Sequence, residues 1–206
     1  EEFADHIKAE KILEPGKQHF LTLKHRDDSK VLESLLEKEA QETGTTVLHV
    51  LRHGETEDNK NKVFCGWRET PLNEAGRKQA EEFGEMHKEE NYDIIISSPL
   101  PRAKETAEII AGKTNTDINI DERLKERNFG VIEGMSWDEI KRDLPDLAAK
   151  NFENYQPDLP EGETIEEVVE RVKGFINDAN QFKGKKVLLV THTGVLRILR
   201  RQLLSE

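Results

Sequence analysis

Three short apolar runs, separated by charged segments, constrain the fold of this chain more than any other feature. They are Thr46–Leu51, Asp93–Ser98 and Lys186–Thr191. Each is apolar along a continuous stretch rather than at alternate positions, which is typical of strands buried on both faces of a mostly parallel sheet. We therefore predict an α/β fold with a mostly parallel central sheet.

Helical patterns lie between and after the strand candidates. In the clearest of them, Thr164 and Glu167 have the spacing of a capping box, and apolar residues follow at helical spacing. The other predicted helices begin near Arg77, Pro99 and Gly194. Strands that alternate with helices favour βαβ units, so we expect a three-layer sandwich in which helices flank the sheet on both sides.

Residues 1–44 differ from the rest of the chain. They are highly charged, with a predicted strand at His19–Lys24 and a predicted amphipathic helix at Val31–Ala40. We interpret residues 1–44 as an N-terminal extension or peripheral subdomain, and residues 45–206 as the main domain.

Composition excludes several classes of protein. The formal charge is −11 and no strongly basic stretch offsets it, which argues against nucleic acid as a partner. No apolar stretch approaches the roughly 20 residues that span a bilayer, so we expect no membrane partner. The single cysteine, Cys65, excludes an internal disulfide and is typical of a reducing, cytoplasmic setting.

Polar side chains that suit an anion follow each of the three strand candidates. Arg52 and His53 follow the first, Arg102 comes shortly after the second, and His192 follows the third. Because the carboxyl ends of parallel strands meet at one edge of a sheet, we expect these side chains to converge, beside helix N-termini that add N–H donors. Guanidinium groups suit phosphate, and a neutral imidazole can attack phosphorus or donate a proton.

Six motifs in this order resemble the histidine phosphatase superfamily, whose members include the phosphoglycerate mutases. Any one of them is weak, but together they cover most of residues 46–204 and are highly specific. The motifs are Leu51–Thr56, Gly66–Trp67, Ser97–Arg102, Leu124–Gly134, Pro160–Thr164 and Thr191–Gly194.

The resemblance implies a two-step phosphoryl transfer with assigned catalytic residues. His53 is the implied nucleophile, forming a phosphohistidine that water later hydrolyses. Arg52, Arg102 and His192 would hold the phosphate oxygens and stabilise the transition state. Glu126 would protonate the leaving alcohol and then deprotonate the attacking water.

The same resemblance adds further contacts with the substrate. Asn59 matches a family asparagine near the phosphate, six positions after the nucleophile. We expect Cys65 to line the site rather than to react, because no second thiol or metal spacing accompanies it. The other implied substrate-binding residues are Gly66, Thr193 and Gly194.

We expect neither a metal nor another cofactor. Four cationic or donor groups around one phosphate dianion make a divalent metal unnecessary. A metal site built from His49, His53 and His192 is an alternative, although it lacks the expected carboxylate spacing.

Two departures from the mutases favour a phosphatase that acts on a small phosphorylated metabolite. The segment Gly134–Pro160 is short and poor in cations, whereas mutases have a long insertion there that brings further arginines. Lys62–Phe64 replaces the Asn-Arg-Phe sequence that is typical of mutases. The alternatives are mutase-type phosphoryl transfer and a non-catalytic module that binds a phosphorylated ligand; the oligomeric state stays open.

The end of the sequence raises a question about the sheet. Family members continue past the last motif helix with another strand or more, whereas this chain ends at Glu206. Either a C-terminal part is missing, or the predicted strand at His19–Lys24 joins the sheet in its place.

Overall fold

The computed structural model describes residues 7–14, 17–23, 46–149 and 158–204. Its strands form one six-stranded sheet in the order β2-β1-β3-β6-β4-β5. The pairs β3–β6, β6–β4 and β4–β5 are parallel, and β2–β1 and β1–β3 are antiparallel. The strands are β1 (Ile7–Glu14), β2 (Lys17–Leu23), β3 (Thr46–Arg52), β4 (Ile94–Ser97), β5 (Ile118–Ile120) and β6 (Lys186–Thr191).

The described residues also form seven α-helices and several short 3₁₀ segments. The 3₁₀ segments are Glu122–Leu124, Gly130–Ile132 and Asp178–Phe182. Within these described ranges, no helix has the length and apolar character needed to cross a membrane. The helices are α1 (Glu57–Lys60), α2 (Glu74–Met86), α3 (Pro101–Thr114), α4 (Trp137–Asp143), α5 (Pro145–Ala148), α6 (Ile165–Asn177) and α7 (Thr193–Leu204).

The central strands are buried on both faces, as their continuous apolar sequences predict. Val50 and Leu189 point to the face that packs against α6 and α7. Leu51 and Leu188 point to the opposite face, which packs against α2 and α3. Successive strand residues alternate between the faces, so two apolar layers enclose the sheet. The predicted three-layer α/β sandwich is confirmed.

The predicted elements match the structure closely where an apolar pattern marked them. Strand β6 has the predicted bounds, and the capping box of Thr164 and Glu167 begins α6. Helix α2 begins at Glu74, earlier than predicted, because the Asn73 side chain accepts a hydrogen bond from the Gly76 N–H. Strand β5 was not predicted; it has three residues and is largely exposed, so it carries no apolar run.

The N-terminal strands extend the sheet at one edge. The strand predicted at His19–Lys24 is present as β2, and β1 joins it to β3. The backbone of α7 lies close to β1, β2 and β3. The helix predicted at Val31–Ala40 lies outside the described residues, and the assignment of residues 1–44 as an extension or subdomain stays a prediction.

The turn that follows β3 is held by direct backbone packing against α2. A Cβ atom on Gly54 would lie 2.4 Å from the Gly76 carbonyl oxygen, and a Cβ on Gly76 would lie 2.1 Å from the Glu55 carbonyl oxygen. The Gly54 N–H also donates to Thr106 Oγ1 of α3 at 3.0 Å. Two helices therefore determine the path of the chain beside His53.

We expect Gly76→Ala to destabilise the fold, although alanine normally favours a helix. The added Cβ must push two backbones apart, and overpacking of this kind costs about 1–3 kcal/mol. The matched control is Gly112→Ala in α3, where no atom lies within 4 Å of the added Cβ; it should stabilise by about 0.5–1 kcal/mol. Urea unfolding of both variants gives the free energies, and equal effects would contradict the close packing.

Candidate active site

A cavity of about 200 Å³ lies at the carboxyl end of β3. Its wall combines charged side chains with an apolar part. Residues from the end of β3, from the segment after α1, from the first turn of α3 and from the beginning of α7 contribute to it. The lining residues are Arg52, His53, Asn59, Lys62, Val63, Phe64, Cys65, Gly66, Arg102, Glu126, Phe129 and Thr193.

His53 is held in one tautomer by its two neighbours. The side chain is buried, and its Nδ1 lies 2.7 Å from the Gly54 carbonyl oxygen. Because a carbonyl oxygen can only accept, Nδ1 carries the proton. Nε2 is then the unprotonated nitrogen, and it accepts a hydrogen bond from Arg102 Nε at 3.2 Å. The imidazole therefore keeps a lone pair on Nε2.

The electrostatic surroundings keep this imidazole neutral. Burial lowers the pKa of His53 well below its ordinary value, and the positive charges of Arg102 and Arg52 lower it further. The hydrogen bond to the Gly54 carbonyl acts in the opposite direction and is the smallest contribution. A neutral imidazole with an unprotonated Nε2 is the form that can act as a nucleophile.

Arg102 is fixed at the beginning of α3 by contacts with backbone carbonyl groups. It follows Pro101, the first residue of the helix, and is only 1% exposed. Its Nη2 donates to the Gly66 carbonyl at 2.7 Å and its Nη1 to the Arg68 carbonyl at 3.1 Å. Burial lowers the pKa of Arg102, but a guanidinium stays charged in a protein. The cation is thus held rigidly beside His53.

Arg52 and Asn59 both lie on the cavity wall, where Arg52 is exposed and the Asn59 side chain is held by a hydrogen bond. Arg52 is exposed at the end of β3. Asn59 is the third residue of α1, and its Oδ1 accepts the Thr56 N–H at 3.3 Å in a capping box. The side-chain oxygen of Asn59 is therefore already hydrogen-bonded, so a contact with a ligand anion would use the side-chain nitrogen, Nδ2.

Glu126 reaches the cavity from the coil between two 3₁₀ segments. Its Oε1 accepts the Arg127 N–H at 2.9 Å, and its Oε2 accepts the Gly194 N–H at 3.1 Å. A Cβ on Gly194 would lie 2.3 Å from Oε1 of Glu126. Glycine is therefore needed at the beginning of α7 for the carboxylate to approach this closely.

His192 lies beside His53 but not on the cavity wall. The ring centroids are 5.1 Å apart, and His192 Nε2 is hydrogen-bonded to Ser98 Oγ at 2.8 Å. Burial, then the charges of Arg102 and His53, lower the pKa of His192 well below its ordinary value. In the described part of the chain its buried Nδ1 has no hydrogen-bond partner. Direct phosphate binding by His192 and Gly194 stays a prediction, because neither lines the cavity.

Cys65 lines the cavity with a protonated thiol. Its Sγ donates to Thr70 Oγ1 at 3.6 Å, and burial raises the pKa of Cys65. Because the thiolate is the reactive form, the thiol is poorly suited to act as a nucleophile.

The three-histidine metal alternative finds no support in the geometry. His49 Nδ1 is hydrogen-bonded to the Tyr92 hydroxyl at 2.8 Å. Within the described ranges, no group of three or more His, Cys, Asp or Glu side chains is placed to hold a metal ion.

The sequence motifs do not predict the apolar part of the cavity wall. In the sequence, Val63 and Phe64 are departures from the mutases and Phe129 is a motif position; in the structure, all three line the cavity with Lys62. Ser98 is likewise a motif position, and no signal in the sequence marks it as the partner of His192. Thr106 could have been found, because it lies one helical turn after Arg102 and its Oγ1 donates to the Arg102 carbonyl at 2.7 Å.

Residues 48–206 match the model of the family described as histidine phosphatase superfamily (branch 1). The chain is 39% identical over 155 residues to the uncharacterized phosphatase PhoE of Bacillus subtilis, covering 75% of this chain and 75% of that protein. It is 33% identical over 167 residues to the phosphoglycerate mutase of Schizosaccharomyces pombe, covering 77% of this chain and 79% of that protein.

A solved structure has the same fold. The mycobacterial glucosyl-3-phosphoglycerate phosphatase in complex with VO3 superposes with a TM-score of 0.69 at 28% sequence identity. The match covers 76% of this chain and 79% of that chain. Two of these three relatives are named as phosphatases and one as a phosphoglycerate mutase.

We expect His53 to stay neutral in the ligand-free protein at pH 6.5, where an ordinary histidine is about half protonated. Burial and two arginines lower its pKa, so protonation should begin only as the pH falls well below that value. Imidazole ¹⁵N shifts measured against pH check this, with the proton on Nδ1 throughout. A titration midpoint at or above about 6.5, or a proton on Nε2, would contradict the geometry.

Proposed function

The chain belongs to branch 1 of the histidine phosphatase superfamily, and on this premise we propose that it is a phosphomonoesterase that hydrolyses a small phosphorylated metabolite. The observation that carries the proposal is the buried, neutral His53, whose Nε2 accepts from Arg102 inside the cavity. The cavity volume of about 200 Å³ favours a small ester.

In the first step, the phosphate of the ester binds between the Arg52 and Arg102 guanidinium groups. In the ligand-free protein, Arg102 Nε donates a hydrogen bond to His53 Nε2. When the phosphate binds, a phosphate oxygen accepts this hydrogen bond instead. The Nε2 lone pair then forms a bond to phosphorus as the bond to the leaving oxygen breaks. Glu126 gives a proton to that oxygen, and the alcohol leaves neutral. Fixed positive charge stabilises the transferring group.

In the second step, water takes the phosphoryl group from the histidine. Glu126, now a carboxylate, accepts a proton from the water as the new P–O bond forms. The P–N bond breaks, its electron pair returns to Nε2 of His53, and inorganic phosphate leaves. In this scheme the dianionic phosphoryl group faces the two positive charges of Arg52 and Arg102, so the proposed mechanism requires no metal.

Mutase activity is the second candidate, favoured by the identity to the phosphoglycerate mutase of Schizosaccharomyces pombe. The composition of the wall supports hydrolysis instead. Apart from Arg52 and Arg102, Lys62 is the single cation among the cavity-lining residues of the described chain. Its neighbours Val63 and Phe64 are apolar, so they offer nothing to bind the carboxylate of a phosphoglycerate. The phosphatase relative PhoE supports the same choice.

We expect the wild-type protein to hydrolyse p-nitrophenyl phosphate in the presence of EDTA, and His53→Ala to lose at least about 1,000-fold in kcat, as when a nucleophile is removed. The matched control is His87→Gln, because His87 stacks on Phe83 and does not line the cavity. It should retain wild-type activity. Full activity in His53→Ala would refute the nucleophile, and loss of activity in EDTA would refute metal independence.

A second experiment separates the phosphatase from the mutase. With 3-phosphoglycerate as substrate, we expect inorganic phosphate and no 2-phosphoglycerate, because the wall offers the glycerate only one cation beyond the two arginines, the exposed Lys62. Phosphorus NMR follows both products in one sample. Formation of 2-phosphoglycerate faster than inorganic phosphate would make the mutase the better assignment. Binding without either product, together with no hydrolysis of p-nitrophenyl phosphate, would indicate a phosphorylated-ligand-binding module.

A further inference from the structure

Arg171 of α6 contacts the backbone of the segment that carries Glu126. Its Nη1 donates to the carbonyl oxygens of Arg123 and Lys125, both at 2.7 Å. Its Nη2 donates to the carbonyl oxygen of Glu126 itself at 3.0 Å. One guanidinium thus satisfies three backbone acceptors within four residues of chain.

Glu163 holds Arg171 in this orientation. The Glu163 carboxylate accepts from Nε of Arg171 at 2.9 Å and from its Nη2 at 3.0 Å, which is a two-point ion pair. The two side chains are 17% and 16% exposed. Oε2 of Glu163 also accepts the Asn128 N–H at 2.9 Å. The pair therefore contacts the chain on both sides of Glu126.

The helix that carries Arg171 packs against the protein core. Arg171 lies between Val168 and Val172 on α6, and both valines, with Phe175, belong to the apolar layer under the sheet. Glu163 precedes Thr164, the residue that caps the helix. Because helix and cap are rigid, the guanidinium has a fixed position relative to the sheet.

The backbone around Glu126 does not form the regular hydrogen bonds of a β-strand. It lies between the 3₁₀ segments Glu122–Leu124 and Gly130–Ile132, outside any strand. Buried carbonyl groups need donors, and here side chains supply them, including the Trp67 indole, whose Nε1 donates to the Glu126 carbonyl at 2.7 Å. A displacement of a catalytic group by about 1 Å can cost roughly 100-fold in rate.

We propose that Arg171 and Glu163 are positioning residues that hold the Glu126 carboxylate where it can protonate the leaving oxygen. This inference rests on the proposed phosphatase function. It requires that loss of the ion pair weakens proton transfer specifically, rather than weakening the whole site.

The dependence on leaving group separates these two effects. p-Nitrophenolate leaves as a stable anion and needs little help from an acid, whereas the alkoxide of glycerol 2-phosphate must be protonated. We expect Arg171→Lys and Glu163→Gln each to lower kcat/KM for glycerol 2-phosphate about 10–100-fold, while kcat/KM for p-nitrophenyl phosphate changes less than about threefold. Glu126→Gln removes the acid itself, so it shows how the two kcat/KM values change when proton transfer is lost.

The matched control is Arg123→Gln. Arg123 is on the same segment, but its side chain forms ion pairs with Asp121 and Asp178 and not with Glu126. It should leave the ratio of the two kcat/KM values unchanged. Equal losses for both substrates in the Arg171 and Glu163 variants, or no loss for either, would overturn the proposal.

A double variant gives an independent check. If Arg171 acts through Glu126, Glu126→Gln combined with Arg171→Lys should be no slower on glycerol 2-phosphate than Glu126→Gln alone. Additive losses would overturn the proposal while leaving the phosphatase assignment intact. A wild-type protein that hydrolyses neither substrate would refute the phosphatase assignment, and this inference with it. Should Arg171→Lys fail to fold, the isosteric Glu163→Gln decides the question.

Discussion

The contact between the Arg102 guanidinium and the His53 imidazole is the interaction on which the rest of the site depends. A buried cation is costly unless it is hydrogen-bonded, and Arg102 finds acceptors in Gly66, Arg68 and His53. The cation in turn adds to burial in keeping the pKa of His53 low. The Nε2 lone pair that the proposed chemistry needs therefore depends on Arg102 together with burial and with the Gly54 carbonyl that holds the proton on Nδ1.

Close backbone packing allows the remaining groups to meet at this point. Gly54 and Gly76 let the turn after β3 lie directly on α2, and Gly194 lets the Glu126 carboxylate reach the first turn of α7. A Cβ atom at Gly54 or Gly76 would collide with backbone atoms, and one at Gly194 would collide with the Glu126 carboxylate. The proposed role of Arg171 likewise depends on a contact between distant segments. This helix side chain donates hydrogen bonds to carbonyl groups of the coil that carries Glu126.

Prediction from sequence succeeded where a local pattern had a physical cause. The apolar runs identified β3, β4 and β6, since strands buried on both faces must be apolar throughout. Strand β5 was not predicted, because a strand of three largely exposed residues has no continuous apolar run. The motifs placed His53, Arg102 and Glu126 at one cavity, whereas the apolar wall was missed, because the path of a loop depends on contacts with distant segments.

The sequence by itself determined the fold class, the edge of the sheet where charged residues gather and the family to which the chain belongs. Periodicity and motif order are local properties, so they can be read without coordinates. Only the tertiary structure decided which nitrogen of His53 carries the proton, and that His192 lies beside the cavity rather than on its wall. These features depend on distances between residues such as His53 and Arg102, which are 49 positions apart in the chain and meet only when the sheet forms.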